Sequence, residues 1–194
     1  CIRDSFEAMD AVTGEYLFSI DLDMQNVFSE IDPRTGEKTM FPGAVLQPGE
    51  ETPGLAKNGV CPDALGARNM QTTSYNPATK MLYVPMQDTC INNITNRRWQ
   101  KYPNPEQDGL WGLVKAVNLE TREVEWTTRQ FGPPASGHLT TDTGLLFRGT
   151  IDRLFQAVNQ EDGEVLWQQR LDNAPTSYPI TYRVDGKQYV AVAT

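Results

Sequence analysis

Histidine is almost absent from this sequence, and so is any long apolar run. A single imidazole, His138, stands among 194 residues. One histidine excludes a cluster of histidine ligands and argues strongly against a zinc-type metal site. His138 also lies only two residues from Ser136, too close along one strand for a Ser/His/Asp triad to assemble. No apolar stretch approaches the length of a membrane span. The 17 basic residues are outnumbered by 25 acidic ones, giving a formal net charge of −8. An acidic chain without a basic cluster is a poor partner for nucleic acid or an anionic membrane surface. The densest basic run, Arg97-Arg98 with Lys101, is interleaved with Trp99 and Tyr102 but reads as a solvated loop. A phosphate-binding loop is missing as well. The segment Gly132-Pro133-Pro134-Ala135-Ser136-Gly137 lacks the lysine and helix that such a loop requires, and reads as an ordinary connection. No secretory leader precedes Cys1-Ile2-Arg3, and Tyr189 to Thr194 reads as a strand cut off in progress. The expectation is an internal piece of a longer protein, so the missing leader carries no information about compartment.

Helical periodicity is also absent, and turn chemistry takes its place. Seven turn signals punctuate the chain: Val12-Thr13-Gly14, Pro33 to Gly36, Pro77 to Lys80, Glu120-Thr121-Arg122, Asp142-Thr143-Gly144, Glu161-Asp162-Gly163 and Val184-Asp185-Gly186. Short runs rich in Val, Leu, Ile, Phe, Tyr and Trp separate them, which is the pattern of strands and hairpins. The fold class expected is all-β.

A repeat sharpens this. Lys115-Ala116-Val117-Asn118-Leu119-Glu120-Thr121-Arg122-Glu123-Val124-Glu125-Trp126 matches Gln156 to Trp167 at an offset of 41. Glu7 to Phe18 is a third copy, with Phe18 in the Trp position. A period near 40 with a turn and a terminal aromatic fits one four-stranded blade of a β-propeller. The small Ala allows close packing against a neighbour, Asp or Asn starts the turn, and the aromatic fills the gap between blades. Residues 1–20 then form the outer half of a blade. Residues 21–60, rich in Pro and Gly, form a long connection with room for a hairpin between Gln25 and Met40. Residues 71–130 hold one blade, interrupted by an Asn- and Pro-rich loop between Cys90 and Gly109. Residues 138–172 form a second blade, and 178–194 begin a third. The whole of 1–194 is expected to be part of a single propeller domain with no internal boundary. Asn93-Ile94-Thr95 fits a glycosylation sequon, which matters only in a secretory eukaryotic setting.

Three cysteines remain. Cys61 and Cys90 flank a strand-turn-strand pattern in which Asn76-Pro77 marks the turn and Met81 to Met86 the return strand. Spacing leaves two readings open, a bridge or two buried thiols. A bridge would contribute roughly 3 to 4 kcal/mol on the chain-entropy account. Cys1 has no obvious partner.

The same stretch carries a resemblance. Cys61-Pro62-x-Ala64-Leu65-Gly66, then Arg68-Asn69, Ser74-Tyr75-Asn76-Pro77 and Leu82-Tyr83-Val84-Pro85, closing on Cys90, resembles the quinoprotein alcohol dehydrogenases. These are the methanol and ethanol dehydrogenases that use pyrroloquinoline quinone, and their propellers carry the same Ala-x-Asp-x-x-x-Gly-x-x-x-Trp repeat. The resemblance implies a ring of eight blades, of which this chain is about three. It implies a Cys61–Cys90 disulfide and a cofactor contact at Asn69, whose amide suits the polar edge of a quinone. A second cofactor contact, a basic residue just before the first repeat, falls on Arg3. In the family the Gly132 to Gly137 loop lies near the cofactor, with Trp where this chain has Ala135. Arg68 is left out of the site as a surface or ion-pair residue.

As implied by the resemblance, the parent oxidises a small alcohol to an aldehyde. Pyrroloquinoline quinone takes the electrons, with a calcium or lanthanide ion as Lewis acid, and passes them to a cytochrome c-type acceptor in the periplasm. A homodimer is compatible with it. The metal ligands and the catalytic base fall upstream, so neither is assigned to a residue of this chain. A reading from a different class is a cofactor-free propeller that binds proteins, like the outer-membrane assembly lipoproteins that share the Trp repeat.

Overall fold

Each of the seven turn signals is a chain reversal, and the β-branched and aromatic runs between them are strands. The computed structural model describes residues 5–22, 24–45, 48–49, 59–95, 98–104 and 108–194, and of 93–95 and 98–99 the backbone alone. Arg3 and Cys1 lie outside the described residues. The strands are β1 (Ser5–Met9), β2 (Tyr16–Asp21), β3 (Phe28–Ile31), β4 (Lys38–Met40), β5 (Ser74–Asn76), β6 (Met81–Gln87), β7 (Thr89–Thr95) and β8 (Arg98–Pro103). They continue as β9 (Gly112–Asn118), β10 (Val124–Gln130), β11 (Leu139–Thr140), β12 (Leu145–Gly149), β13 (Leu154–Asn159), β14 (Val165–Arg170), β15 (Ile180–Val184) and β16 (Lys187–Ala191). A single short 3-10 turn, Pro42–Ala44, is the helical content of the described residues.

Two antiparallel sheets have the four strands expected of a blade, in the orders β10-β9-β6-β5 and β11-β12-β13-β14. The other strands pair two by two, β1-β2, β3-β4, β7-β8 and β15-β16, and no ring closes among the described residues. The residues group into two compact units. One is Cys1–Asn69 with Asp88–Gly109, and the other is Met70–Gln87 with Leu110–Thr194. The hairpin expected between Gln25 and Met40 is β3-β4. The expected loop between Cys90 and Gly109 is instead largely the β7-β8 hairpin, with Cys90 opposite Tyr102. Thr89, Ile91 and Thr95 on one strand, with Trp99 and Tyr102 on the other, have the β-branched and aromatic character that outweighs the neighbouring Asn and Pro.

The repeat builds one turn four times. Asp10, Asp32, Asn118 and Asn159 each accept from the backbone N–H four residues on, at 2.7 to 2.9 Å, and donate their own N–H to the carbonyl five residues on, at 2.8 to 2.9 Å. Each side-chain oxygen also accepts from N–H groups inside its turn. The Thr13 and then the Val12 N–H hold the Asp10 carboxyl below the usual carboxylate range, and Arg34 and Thr35 do the same for Asp32. The fifth residue turns left-handed in every copy: Gly14 (φ +75°), Gly36 (+73°), Arg122 (+66°) and Gly163 (+75°). The fourth copy, Asp32 to Gly36, has no Ala or Trp around it, so the sequence showed it only as a turn.

After each turn of the three full copies, the aromatic faces the alanine across the hairpin. Ala8 pairs with Phe18, Ala116 with Trp126 and Ala157 with Trp167, each beside a bulge. In the second unit this geometry makes a core between the two blades. Met81, Tyr83, Val114, Ala116, Leu146 and Val158 are buried together, and Trp126 packs against them. Tyr83 and Trp126 lie 5.8 Å apart, centroid to centroid. Strands β6 and β9 are buried along almost their whole length, so both of their faces are covered. Pro85 sits past the last β5 pair, Ser74 with Tyr83, where one edge of β6 has no strand beside it among the described residues. Proline is tolerated in a sheet at such a place.

The polar counterpart of this core is Gln160, which is buried. Its amide oxygen accepts from Asn76 Nδ2 (2.7 Å) and Tyr83 Oη (3.3 Å), and its Nε2 donates to the Thr141 (2.8 Å) and Leu145 (2.7 Å) carbonyls. Its backbone carbonyl accepts the Trp126 indole N–H at 3.0 Å and the Tyr83 hydroxyl at 3.1 Å. A buried amide is tolerable only when it is fully satisfied, and this one is. Sequence reading missed it. The signal was a glutamine at the repeat position that Leu119 occupies in the other copy.

Candidate functional site

The loop from Cys61 to Asn69 is held by more ties than any loop needs for closure alone. Asn26 opens the set: its Oδ1 accepts from the Cys61 N–H (2.9 Å), its N–H donates to the Cys61 carbonyl (3.1 Å), and its Nδ2 donates to the Gly59 carbonyl (3.0 Å). Val60 bridges to Ile91 on β7, and Cys61 is joined to Cys90 by a disulfide. The bridge expected from the resemblance is therefore present. It ties the loop to β7, because Cys90 lies on that strand beyond the end of β6.

Asp63 is the next anchor. Its N–H donates to the Thr89 carbonyl (2.9 Å) and its carbonyl accepts from Gly66 (2.8 Å). One carboxylate oxygen accepts from the Leu65 N–H at 2.7 Å. The other accepts from the Thr89 hydroxyl at 2.8 Å and pairs with the Lys101 ammonium at 2.7 Å. Asp63 is buried, and sequence reading did not single it out. Its only signal was an acidic residue directly after Cys61-Pro62. Ala67 is then fully buried, Arg68 lies over the Phe6 ring at 5.9 Å, and the chain surfaces with Asn69 exposed. The two candidate cofactor contacts thus fare differently. Asn69 sits at the tip of a braced loop, and Arg3 lies outside the described residues. The Arg68 contact fits a side chain used for packing.

The Gly132 to Gly137 loop is pinned to the second blade. Ala135 N–H donates to the Gly149 carbonyl (2.9 Å), Ile151 N–H to the Pro133 carbonyl (3.0 Å), and Gly149 N–H to the Ser136 hydroxyl (2.7 Å). The Ser136 hydroxyl donates in turn to the Gly137 carbonyl at 2.7 Å, which leaves it unsuited to act as a nucleophile. His138 comes next, buried, with its N–H on the Thr72 carbonyl (3.1 Å) and no hydrogen-bond partner for either ring nitrogen among the described residues. Burial first, and the neighbouring Arg148 second, push its pKa down to about 3, and the nearby Tyr83 backbone, too poorly aligned for a proper hydrogen bond, opposes them only weakly. It is a neutral core residue at ordinary pH. Arg148 is buried too, donating to Gln156 (2.8 Å) and Thr128 (3.1 Å), and burial lowers its pKa to about 10. Among the described residues no group of three or more His, Cys, Asp and Glu gathers as a metal site.

What this arrangement offers chemistry is an exposed asparagine that follows a stretch tied down by a disulfide and a buried ion pair. An amide has two N–H donors and an acceptor oxygen, which suits it to hold the polar edge of a planar ligand. The fit to a quinone rests on that donor set.

Residues 92–190 match the family described as the glucose/ethanol/alcohol dehydrogenase β-propeller domain, PQQ. The chain is 30% identical over 187 residues to methanol dehydrogenase [cytochrome c] subunit 1 of Methylobacterium organophilum, covering 88% of this chain and 29% of that protein. It is 28% identical over 198 residues to the lanthanide-dependent methanol dehydrogenase of Methylacidiphilum fumariolicum, covering 95% of this chain and 32% of that protein. In structure it superposes on a europium-containing methanol dehydrogenase with a TM-score of 0.84 at 28% identity, over 97% of this chain and 34% of that one. The chain spans about a third of the length of the relatives it matches. Blade repeat, braced loop and likeness converge on one assignment: the chain belongs to the PQQ family of glucose/ethanol/alcohol dehydrogenase β-propeller domains.

Proposed function

We propose that this chain is part of a quinoprotein dehydrogenase that oxidises a small alcohol to an aldehyde with pyrroloquinoline quinone and a calcium or lanthanide ion. The observation that carries this reading is an exposed Asn69 just beyond a stretch anchored by Cys61–Cys90 and Asp63. When bound, pyrroloquinoline quinone accepts two electrons from the alcohol. The part assigned to this chain is to bind and orient. The Asn69 amide holds the polar edge of the quinone, and an oriented N–H there stabilises an oxygen that gains charge during reduction. Arg3 would add a cationic donor to the same group. The metal ligands and the base belong to the remainder of the parent. A cytochrome c-type acceptor and a periplasmic setting complete the proposal. A cofactor-free binding propeller would use the blade repeat and the Gln160 core equally well, but would have no use for an exposed asparagine beside the Cys61–Cys90 anchor.

The test is reconstitution of the full-length parent with quinone and either Ca²⁺ or a lanthanide, followed by alcohol-dependent dye reduction. Turnover is expected, and Asn69→Ala should lower it by about a hundredfold at saturating quinone, the usual cost of losing one oriented donor. Neither binding nor turnover under any of these conditions would sink the enzyme reading.

A further inference from the structure

We propose that Asp63 is a positioning residue for the cofactor contact at Asn69, an inference that rests on the reading of Asn69 given above. The disulfide fixes the loop at Cys61, and Asn69 lies eight positions further on. The Met70 carbonyl just after Asn69 accepts from the Tyr178 hydroxyl at 3.0 Å, so the stretch left to be held is the one between Cys61 and Asn69. Asp63 supplies the second anchor, and its carboxylate reaches three separate parts of the structure at once. It holds β7 through the Thr89 hydroxyl, β8 through the Lys101 ammonium, and the loop's own turn through the Leu65 N–H. That turn leads to Gly66 at φ +82°, to buried Ala67, and out to Asn69.

The choice of a carboxylate is informative. A buried ion pair is a weak source of stability, and an apolar side chain of similar volume would commonly hold a loop as firmly. What the carboxylate adds is direction, because its hydrogen bonds are satisfied in one arrangement only. Direction matters at Asn69, since a donor must lie about 2.7 to 3.1 Å from the oxygen it stabilises. The Asp63 side chain is 2% exposed and that of Lys101 33% exposed, so the anchor is locked on the inside and closed from the outside.

A double-mutant cycle in the full-length parent tests this. The affinity of the quinone-free protein for added pyrroloquinoline quinone is measured by fluorescence titration for wild type, Asp63→Asn, Asn69→Ala and the double variant. Thiol titration and thermal melting confirm that Cys61–Cys90 and the fold are intact. Asp63→Asn keeps the shape and a hydrogen-bonding oxygen but loses the charge. It is expected to weaken quinone binding about tenfold, within the range of coupled neighbours. In the Asn69→Ala background the same change should cost less than about twofold, because the group it positions is gone. Should Asp63→Asn fail to accumulate, Lys101→Gln removes the same tie from its more exposed side and should show the same non-additivity. If Asn69→Ala weakens binding but Asp63→Asn does not, or if the two losses multiply independently, the positioning role is overturned while the Asn69 assignment stands. If Asn69→Ala leaves affinity unchanged, the Asn69 assignment falls and the positioning role falls with it.

Discussion

Trp126 and Trp167 occupy the same place in the repeat, and their surroundings differ completely. Each stands opposite an alanine beside a bulge, Ala116 in one hairpin and Ala157 in the other. Trp126 leans on Tyr83, donates its indole N–H to the Gln160 carbonyl of the second blade, and lies so close under Gly163 that a Cβ there would come within 2.9 Å of the ring. Trp167 is 50% exposed on a strand, β14, whose every residue is exposed, and its indole has no acceptor among the described residues. The local sequence is nearly the same, so the difference comes from the neighbour against which each blade is packed. The repeat therefore encodes an adhesive face rather than a self-sufficient unit. Its aromatic contributes stability only when another blade supplies the carbonyl and the apolar floor. The relatives are about three times as long as this chain, and in the parent we expect β14 to be covered in the same way.

The largest effect should come from breaking the covered member of the pair. Trp126→Ala removes a ring from the inter-blade core and strips the Gln160 carbonyl of a donor. Trp→Ala truncations in cores cost about 3 to 5 kcal/mol, and partial exposure of Trp126 places it near the lower end. In the 194-residue chain Trp167→Ala should cost less than about 1 kcal/mol, as surface changes do. Urea denaturation of both variants measures the gap. In the full-length parent the Trp167 value should rise to match that of Trp126. Equal costs for the two variants of the shorter chain would break the comparison.

How legible this was depends on how local the cause is. The hairpins were readable because a turn is written in five consecutive residues, Asp or Asn first and a left-handed residue last. The blade was readable because alanine and aromatic recur at a fixed offset. The Cys61–Cys90 bridge came from a resemblance, since spacing left free thiols open. Gln160 was not readable, because its partners Asn76, Tyr83, Thr141 and Leu145 are brought together only by packing one blade on another. Asp63 escaped for the same reason: Thr89 and Lys101 are distant in sequence, and Lys101 lies on a hairpin expected to be a loop. Polar networks assembled by tertiary structure leave almost no trace in composition or period.

A second effect asks whether the covered side of the second blade is as dry as its packing implies. His138 sits there with both ring nitrogens unpartnered among the described residues and its pKa lowered to about 3, while an unfolded histidine titrates near 6.5. The folded state keeps the ring neutral, whereas the unfolded chain takes up a proton below about pH 6.5. Stability from this residue is therefore fully present above about pH 6.5 and lost as pH falls towards 3. The slope is about 1.4 kcal/mol per pH unit, or roughly 2 kcal/mol between about pH 7 and pH 5. Replacing His138 with Leu should remove that slope. Denaturation midpoints at about pH 7, 6 and 5 would show the variant gaining on wild type as the solution is acidified. Parallel pH profiles for the two proteins would mean that water reaches the imidazole.

The smallest effect lies in the turn of the first blade. Arg122 occupies the left-handed position that Gly14, Gly36 and Gly163 fill in the other copies, at φ +66°. At Gly163 glycine is needed twice, for its φ and because a Cβ would meet Thr128 at 2.5 Å as well as the Trp126 ring. At Arg122 the side chain is exposed, where surface interactions are worth little, so the backbone dominates. A non-glycine residue in this region carries about 1 kcal/mol of strain. Glycine would relieve it, at a cost of about 0.4 to 1 kcal/mol in freedom regained by the unfolded chain. Arg122→Gly should therefore raise stability by no more than about 0.5 kcal/mol, read as a small upward shift of the urea midpoint at constant slope. A loss of more than about 1 kcal/mol would show that the arginine side chain itself holds the first blade together. The two turns would then differ in more than the neighbour packed against them.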